Sequence, residues 1–300
     1  MRLKWLSYLV IVMFGLIAVG TVAKVMKKSV VSPEARFNLV YIDQGGSRVS
    51  VATFDPVEEK VMIITYPETL AITSRSVGEY EIGSLYKLGS YKNQGGEFAR
   101  RKVQGFMKLP IVGYLINLEG EGSVDSSLSS SLYRAMWRRG SEDNLTLFDA
   151  YRLSQSLRSY GGRLVAREDL VRAGVIVTGE KEKLSYAPLA LSNYVGKSFF
   201  DWGVGKEGVT VSIINESGES GLGSDMAQFL DNMGLDVITV RSGSQVSDVT
   251  RIIVAESKNA SMTLTLMERV FRFKPYEIGD TAEYRAGIVM WVGRDALELF

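Results

Sequence analysis

The sequence predicts a mixed α+β or α/β protein: an N-terminal transmembrane helix, a sheet-and-helix domain, then a small β-α-β-β-α-β module. Three observations carry this. Trp5 to Ala23 is an apolar run with no charged side chain. Three β-branched and aromatic runs follow it, separated by turn-forming residues. From Gly208 to Phe300, short apolar runs alternate with two segments of helical spacing.

The first run is long enough to cross a bilayer, which takes about 20 apolar residues at 1.5 Å per residue. A signal-peptide core is shorter, about 7 to 15 residues, so residues 1–28 read as a retained anchor with its flanks. Trp5 sits where an indole favours the membrane boundary. Arg2 and Lys4 on one flank nearly balance Lys24, Lys27 and Lys28 on the other, so charge alone does not choose the side on which the body lies.

"RFNLVYID" (Arg36 to Asp43), "RVSVATFD" (Arg48 to Asp55) and "KVMIITYP" (Lys60 to Pro67) are joined by "QGGS" and "PVEE", and read as an antiparallel meander. Val49, Val51 and Thr53 alternate with Arg48, Ser50 and Ala52, which predicts one face more buried than the other. Helical spacing follows in "EIGSLYKLGSYKNQGG" and "EFARRKVQGFMKL", before the strand-like "GYLINLE". The Ser/Gly-rich stretch from Gly120 to Ser131 reads as a loop. Leu145 to Tyr160 predicts a helix with Leu147, Tyr151, Ser154 and Leu157 on one stripe and Asn144 or Thr146 as N-cap. Asp169 to Phe199 reads as irregular. The glycines of "DWGVGKEG" place a boundary at Trp202 to Gly208, dividing a domain at 36–201 from a module at 208–300.

In the module, "VTVSIIN" reads as a strand, "GSDMAQFLDNMG" as a helix closed by Gly234, and the remainder as strand, strand, helix, strand, the pattern of a split βαβ sheet with both helices on one face. Gly218, Gly221 and Gly223 follow the order G-x-x-G-x-G. A nucleotide loop needs G-x-G-x-x-G, or G-x-x-x-x-G-K-[ST] with its lysine, and an acidic residue should close the next strand where Arg241 follows Val240. The loop reads as a strand-to-helix turn with Ser224 as N-cap.

Composition narrows the chemistry. The 35 basic and 34 acidic residues nearly cancel, which gives no global case for nucleic acid, and no DNA-reading helix with a basic face is visible. The chain has no Cys and no His, which removes disulfides, thiolate nucleophiles, Ser-His-Asp and Cys-His arrangements and the common zinc sites. Carboxylates, Lys, Arg, Ser and Tyr remain. Trp137, Trp202 and Trp291 read as core or rim packing, not as a sugar-stacking platform.

The module also resembles the LytR C-terminal domain family. Asn215, Ser217, Gly218, Gly221, Leu222, Gly234, Gly293 and Asp295 stand where that family has its strand-ending Asn-x-[ST]-Gly, its loop glycine and leucine, its helix-ending glycine and its closing Gly-x-Asp. The resemblance implies a tethered bacterial envelope protein at the cell membrane, its body extracytoplasmic and its partners envelope polymer or envelope proteins. "SRVSVATFDPVEEKVMIITYPETLAI" resembles the start of a LytR-CpsA-Psr domain, a family that transfers glycopolymers from polyprenyl pyrophosphate using a magnesium-linked Asp and phosphate-holding arginines. Here Arg48 stands at the position of the metal-linked Asp, and Glu68 and Thr69 where Arg-Asp is expected. These departures predict a non-catalytic relative that needs no cofactor. The alternative is a working transferase, with magnesium, that uses acids among Asp43, Asp55, Glu79 and Glu81. Candidate anion contacts are Arg75, Arg100, Arg101, with Lys102, and Arg138 and Arg139; as helix-borne charges Arg100, Arg101, Lys102, Arg138 and Arg139 read first as solvated faces of helices.

Overall fold

The computed structural model describes residues 29, 31, 35–75, 78–137, 142–179, 182–255, 261–271 and 276–300. Among them no helix is long and apolar enough to cross a membrane, and the predicted anchor, Trp5 to Ala23, lies outside them.

The meander forms as predicted. β1 (Phe37–Asp43), β2 (Arg48–Asp55) and β3 (Lys60–Thr65) pair antiparallel, with Asp43 opposite Arg48 and Phe54 opposite both Phe37 and Val61. The β1–β2 turn runs through Gln44, Gly45 and Gly46, all at positive φ. A hairpin of β4 (Ala71–Ser74) and β5 (Gly78–Glu81) follows, then helices α1 (Leu85–Ser90) and α2 (Gly95–Met107). Three more strands extend the meander: β6 (Gly113–Ile116), β7 (Glu142–Asp143) and β8 (Gly162–Val165) complete a six-stranded sheet of order β7-β6-β1-β2-β3-β8.

Both faces of this sheet are covered, which corrects the expectation of one drier face. Val49 and Val51 pack with Val103 and Phe106 of α2, while Ala52 and Phe54 pack with Leu128 and Leu153 on the other side. A central strand between two helical layers is apolar on both faces.

The second layer contains α3 (Val124–Met136), so most of the stretch read as a loop is helical. Val124, Leu128, Leu132 and Ala135 recur at helical spacing and enter the core. The serines between them satisfy their hydroxyls locally: Ser131 Oγ donates to the Ser127 carbonyl at 2.7 Å, and Tyr41 Oη lies 2.6 Å from Ser127 Oγ. The next helix, α4 (Leu147–Tyr160), is capped by Thr146, whose hydroxyl accepts from the Asp149 amide in a capping box. Asn144 instead ties β6, accepting from Tyr114 N and donating to Val112 O, each at 2.8 Å. The buried stripe of α4 is Ala150, Leu153 and Leu157. Leu147 and Tyr151 lie roughly 100° further round the helix and are exposed, correcting the predicted stripe.

The stretch from Asp169 to Phe199 is more ordered than its sequence suggests. It completes α5 (Arg167–Arg172), forms a hairpin of β9 (Ile176–Thr178) and β10 (Leu184–Tyr186), and enters α6 (Pro188–Ser198), which has proline at its first position. The short α7 (Trp202–Gly205) is capped by Asp201, which accepts from Gly203 N and Val204 N.

The last sheet holds β11 (Thr210–Asn215), β12 (Asp236–Ser242), β13 (Arg251–Val254), β14 (Glu277–Ile278) and β15 (Ile288–Val292) in the order β12-β11-β15-β13-β14. Helices α8 (Leu222–Met233) and α9 (Ser261–Phe271) share one core on one face, as predicted. The split is not observed: β11 and β12 are direct parallel neighbours, so β11-α8-β12 is an ordinary βαβ unit. Gly221 at φ 80, not Ser224, is the N-cap of α8, and Gly234 at φ 100 ends the helix.

Candidate functional site

The first candidate region is the open end of the β1–β2 hairpin. Strand pairing sets Arg48 opposite Asp43, and the guanidinium grips the carboxylate at two points: Nε donates to Oδ1 at 2.6 Å and Nη2 to Oδ2. Nη1 donates to the Gly122 carbonyl at 2.7 Å. The Asp43 side chain has no exposed surface, and its hydrogen bond raises the Arg48 pKa further. Burial raises Tyr41 beside it, against the hydrogen bonds from Ser127 and Ser131. Glu68 is exposed and accepts from Ser47 Oγ at 2.9 Å; Thr69 is also exposed. A magnesium ion asks for several oxygen ligands in near-octahedral geometry. Here a cationic side chain occupies both oxygens of the buried acid, and among the described residues no group of three or more acidic side chains could hold a metal. This donor set does not fit the ion.

The other acids serve the fold. Asp55 accepts from Arg36 and from the amides of Val57 and Glu58 at 2.9 Å. Glu79 pairs with Lys183, and Glu81 is exposed where β5 ends.

The arginines divide. Arg100 is 4% exposed, held by Glu97 at two points and donating to Gln104 and to the Ile111 carbonyl. With Lys102 also buried, its ammonium donating to Ser74 Oγ at 2.9 Å, this corrects the reading of a solvated face at these two positions. Arg101 is half-buried and joins Glu97 to Glu298, each at 2.9 Å. Arg138 and Arg139 lie outside the described residues.

Among the described residues, Arg75 is the predicted arginine that lines the cavity. Of about 480 Å³, it opens where β4, the end of α2, the start of α6 and the face of α8 meet, and Lys108, Tyr186, Leu189, Gln228 and Phe300 line it too. Arg75 Nε and Lys108 Nζ converge on Asp225, at 2.7 and 2.6 Å. Arg75 Nη1 donates to the Ser220 carbonyl at 3.0 Å, and a Cβ on Gly221 would meet Nη2 at 2.9 Å. The structure therefore brings Arg75 to the module loop. Within that loop Asn215 Oδ1 accepts from the Ser217 amide and hydroxyl, Ser217 Oγ accepts from Glu219 N, and Asn215 Nδ2 donates to the Glu219 carbonyl. Asn215, Ser217 and Gly218 thus spend their polar groups on a turn, with Gly218 at φ 76.

Lys108, Tyr186 and Asp225 were not legible as a group, because four separate elements deliver the cavity's polar wall. The one local signal was an acid in the first turn of a helix, which the helix dipole explains equally well. Burial raises the Tyr186 phenol. Both oxygens of Asp225 face cations, so it works as a latch and is not placed to take a proton from a substrate.

The tryptophans depart from expectation in two cases of three. Trp291 packs edge-on against Tyr284 with Arg251 over its ring, but Trp137 is 64% exposed beside Tyr133, and Trp202 is also exposed, beside Phe200.

No protein-family profile matches this chain, and no curated protein matches it in sequence. Among the solved structures to which this chain is similar are LytR-CpsA-Psr family proteins. TagV of Bacillus subtilis is 10% identical, with a TM-score of 0.37 over 53% of this chain and 94% of its own. TagT of Bacillus subtilis is 10% identical, with a TM-score of 0.39 over 56% of this chain and 92% of its own. The LytR-CPS2A-psr family protein YwtF (TagT) with bound octaprenyl pyrophosphate lipid gives 10% and 0.37, over 55% and 91%. At TM-scores under 0.5 these likenesses assign no role to any residue here.

Proposed function

We propose that this chain is a membrane-tethered protein of the bacterial envelope, its body extracytoplasmic, that binds envelope polymer or envelope proteins and does not itself transfer a glycan. The observation that carries this reading is the Arg48–Asp43 pair, which puts a closed, two-point ion pair where the transferase resemblance asks for a metal-linked acid. The commitment of Arg100 and Arg101 to Glu97 and Glu298 supports it, because arginines already paired inside a fold would have to break those pairs to hold a pyrophosphate. Tethering is supported by the uncharged run from Trp5 to Ala23, and the extracytoplasmic side by the resemblance of the module to envelope proteins.

A second reading, a LytR-CpsA-Psr-type phosphotransferase acting on polyprenyl pyrophosphate-linked glycan, is favoured by one feature, the cavity flanked by Arg75 and Lys108. Calorimetric titration of the full chain in detergent micelles with undecaprenyl pyrophosphate, with and without magnesium, separates the two. The binding reading expects no magnesium-dependent heat. Micromolar, magnesium-dependent binding that Arg75→Ala abolishes would establish the second reading instead.

A further inference from the structure

We propose that the joined end of the α3–α4 hairpin lies on the bilayer surface, with Tyr133, Trp137, Leu147 and Tyr151 seated among anionic phospholipid headgroups. This rests on the tethered reading and adds to it which face of the body meets the membrane.

The first support is where the chain joins the body. Ser29 Oγ donates to Asp149, Val31 N donates to the same carboxylate at 3.2 Å, and Arg152 Nη1 donates to the Val31 carbonyl at 3.4 Å. Val31 is buried in the core that α3 and α4 share. Both residues are therefore fixed to the first turns of α4. In the sequence only residues 24–28 separate Ser29 from the end of the apolar run, and a chain that short reaches at most about 20 Å when fully extended. The start of α4 is held within roughly two helix diameters of the membrane boundary.

The second support is the direction of the helices. A side chain on Gly162, just beyond the end of α4, would meet Asp125, at the start of α3, at 3.8 Å. The two helices therefore run antiparallel, and residues 138–146 connect their other ends. Tyr133 and Trp137 at the end of α3, and Leu147 and Tyr151 at the start of α4, flank this joined end, the one to which Ser29 is fixed.

The third support is chemical. Each pair is spaced i, i+4 and so projects from one side of its helix, and all four side chains are exposed. Tyrosine and tryptophan pair an apolar ring with a polar edge, which suits the headgroup layer. The same helices carry cations, Arg134, shared with the exposed Glu119, and Arg152, its guanidinium 4.4 Å from the Phe148 ring, and the sequence that leads to Ser29 contains Lys24, Lys27 and Lys28. Basic side chains next to a membrane segment favour anionic lipid.

The absence of cysteine makes the test direct. Single cysteines replace Tyr133, Tyr151, Tyr91 and Phe14 in the full chain, each labelled with an environment-sensitive fluorophore and reconstituted into phosphatidylcholine–phosphatidylglycerol vesicles carrying a lipid quencher, at headgroup level for positions 133, 151 and 91 and deep in the acyl chain for position 14, which lies at the bilayer midplane of a spanning run. Tyr91 is 87% exposed and follows α1, on the opposite face of the sheet. The expected result is several-fold stronger lipid quenching at positions 133 and 151 than at 91, weakened when phosphatidylglycerol is omitted. Quenching at 14 with none at 133 or 151 overturns the placement and leaves the tether standing. No quenching at 14 removes the tether and this placement with it. Shielding of the 133 and 151 labels from aqueous iodide without lipid quenching assigns the face to a protein partner, which also overturns the proposal.

Discussion

Arg48 closes on Asp43 across the β1–β2 hairpin with two of its nitrogens, and the Asp43 side chain it neutralises is wholly buried. Removing one member of such a pair strands the other charge in a dry setting, which costs about 3–5 kcal/mol, whereas replacing both with apolar or neutral groups can be close to neutral. Arg48→Ala is expected to lose stability in that range by urea denaturation, and the double variant Asp43→Asn/Arg48→Met to recover most of it. A loss below about 1 kcal/mol in Arg48→Ala would place the pair in the surface class and remove its structural role.

Asp55 makes acid sensitivity a second test. Burial would raise its carboxyl, yet the Glu58 amide, the Arg36 guanidinium and the Val57 amide together hold it below the ordinary value. A carboxyl with a folded pKa below its unfolded pKa of about 3.9 stabilises fully above the unfolded value, and that contribution is lost as pH falls through the folded one. Asp55→Asn should therefore be clearly destabilised at pH 7, with the gap to the parent narrowing as pH falls below about 4. Denaturation curves that stay parallel from pH 7 to pH 2.5 would contradict this.

The meander was legible because β-branched alternation and glycine turns act locally, and the same holds for Gly234, where only a left-handed residue ends α8 cleanly. Sequence and structure part where a distant partner decides the outcome. The serines of α3 suggest a loop until Tyr41 and Asn117 supply partners for their hydroxyls. The exposed Leu147 and Tyr151 could not be told from a core stripe, since periodicity identifies an apolar side but not which of two adjacent sides meets the sheet. The closed pair at the candidate site was half visible. Arg48 stands out in the sequence as a departure, but its bond to Asp43 follows from a register that only the folded hairpin fixes.

Gly234 also carries a packing constraint. At φ 100 a Cβ would lie 2.6 Å from the Asp201 carbonyl and 3.1 Å from Gly205 N, both backbone atoms that cannot swing aside. Strain at such a position costs about 1–3 kcal/mol before any clash is counted. Gly234→Ala is expected to lower the melting temperature by several degrees, a shift that calorimetry resolves, while Gly208→Ala, with positive φ but open space, should lose less. Equal losses would mean the contact with Asp201 contributes nothing.

The latch at Asp225 tests how firmly the two sheets are joined. Arg75 reaches it from the loop after β4 and Lys108 from the end of α2, so one carboxylate on α8 collects two cations from the preceding unit. The groups are partly open to water, with Arg75 36% exposed, so each bond belongs near the weak end of the scale, about 1 kcal/mol or less. Asp225→Asn leaves the two cations facing each other, and a loss of roughly 1–2 kcal/mol is expected at low salt, shrinking as ionic strength shortens the Debye length below about 8 Å. The uncharged bond from Asn232 Nδ2 to the Lys108 carbonyl at 2.7 Å crosses the same junction and supplies the control. Asn232→Ala should weaken the junction equally at low and high salt. If Asp225→Asn shows no salt dependence, the ion pairs are not what closes the cavity, and uncharged contacts across the junction, such as the Ser74 hydroxyl donating to the Phe300 carbonyl at 2.8 Å, are left to do so.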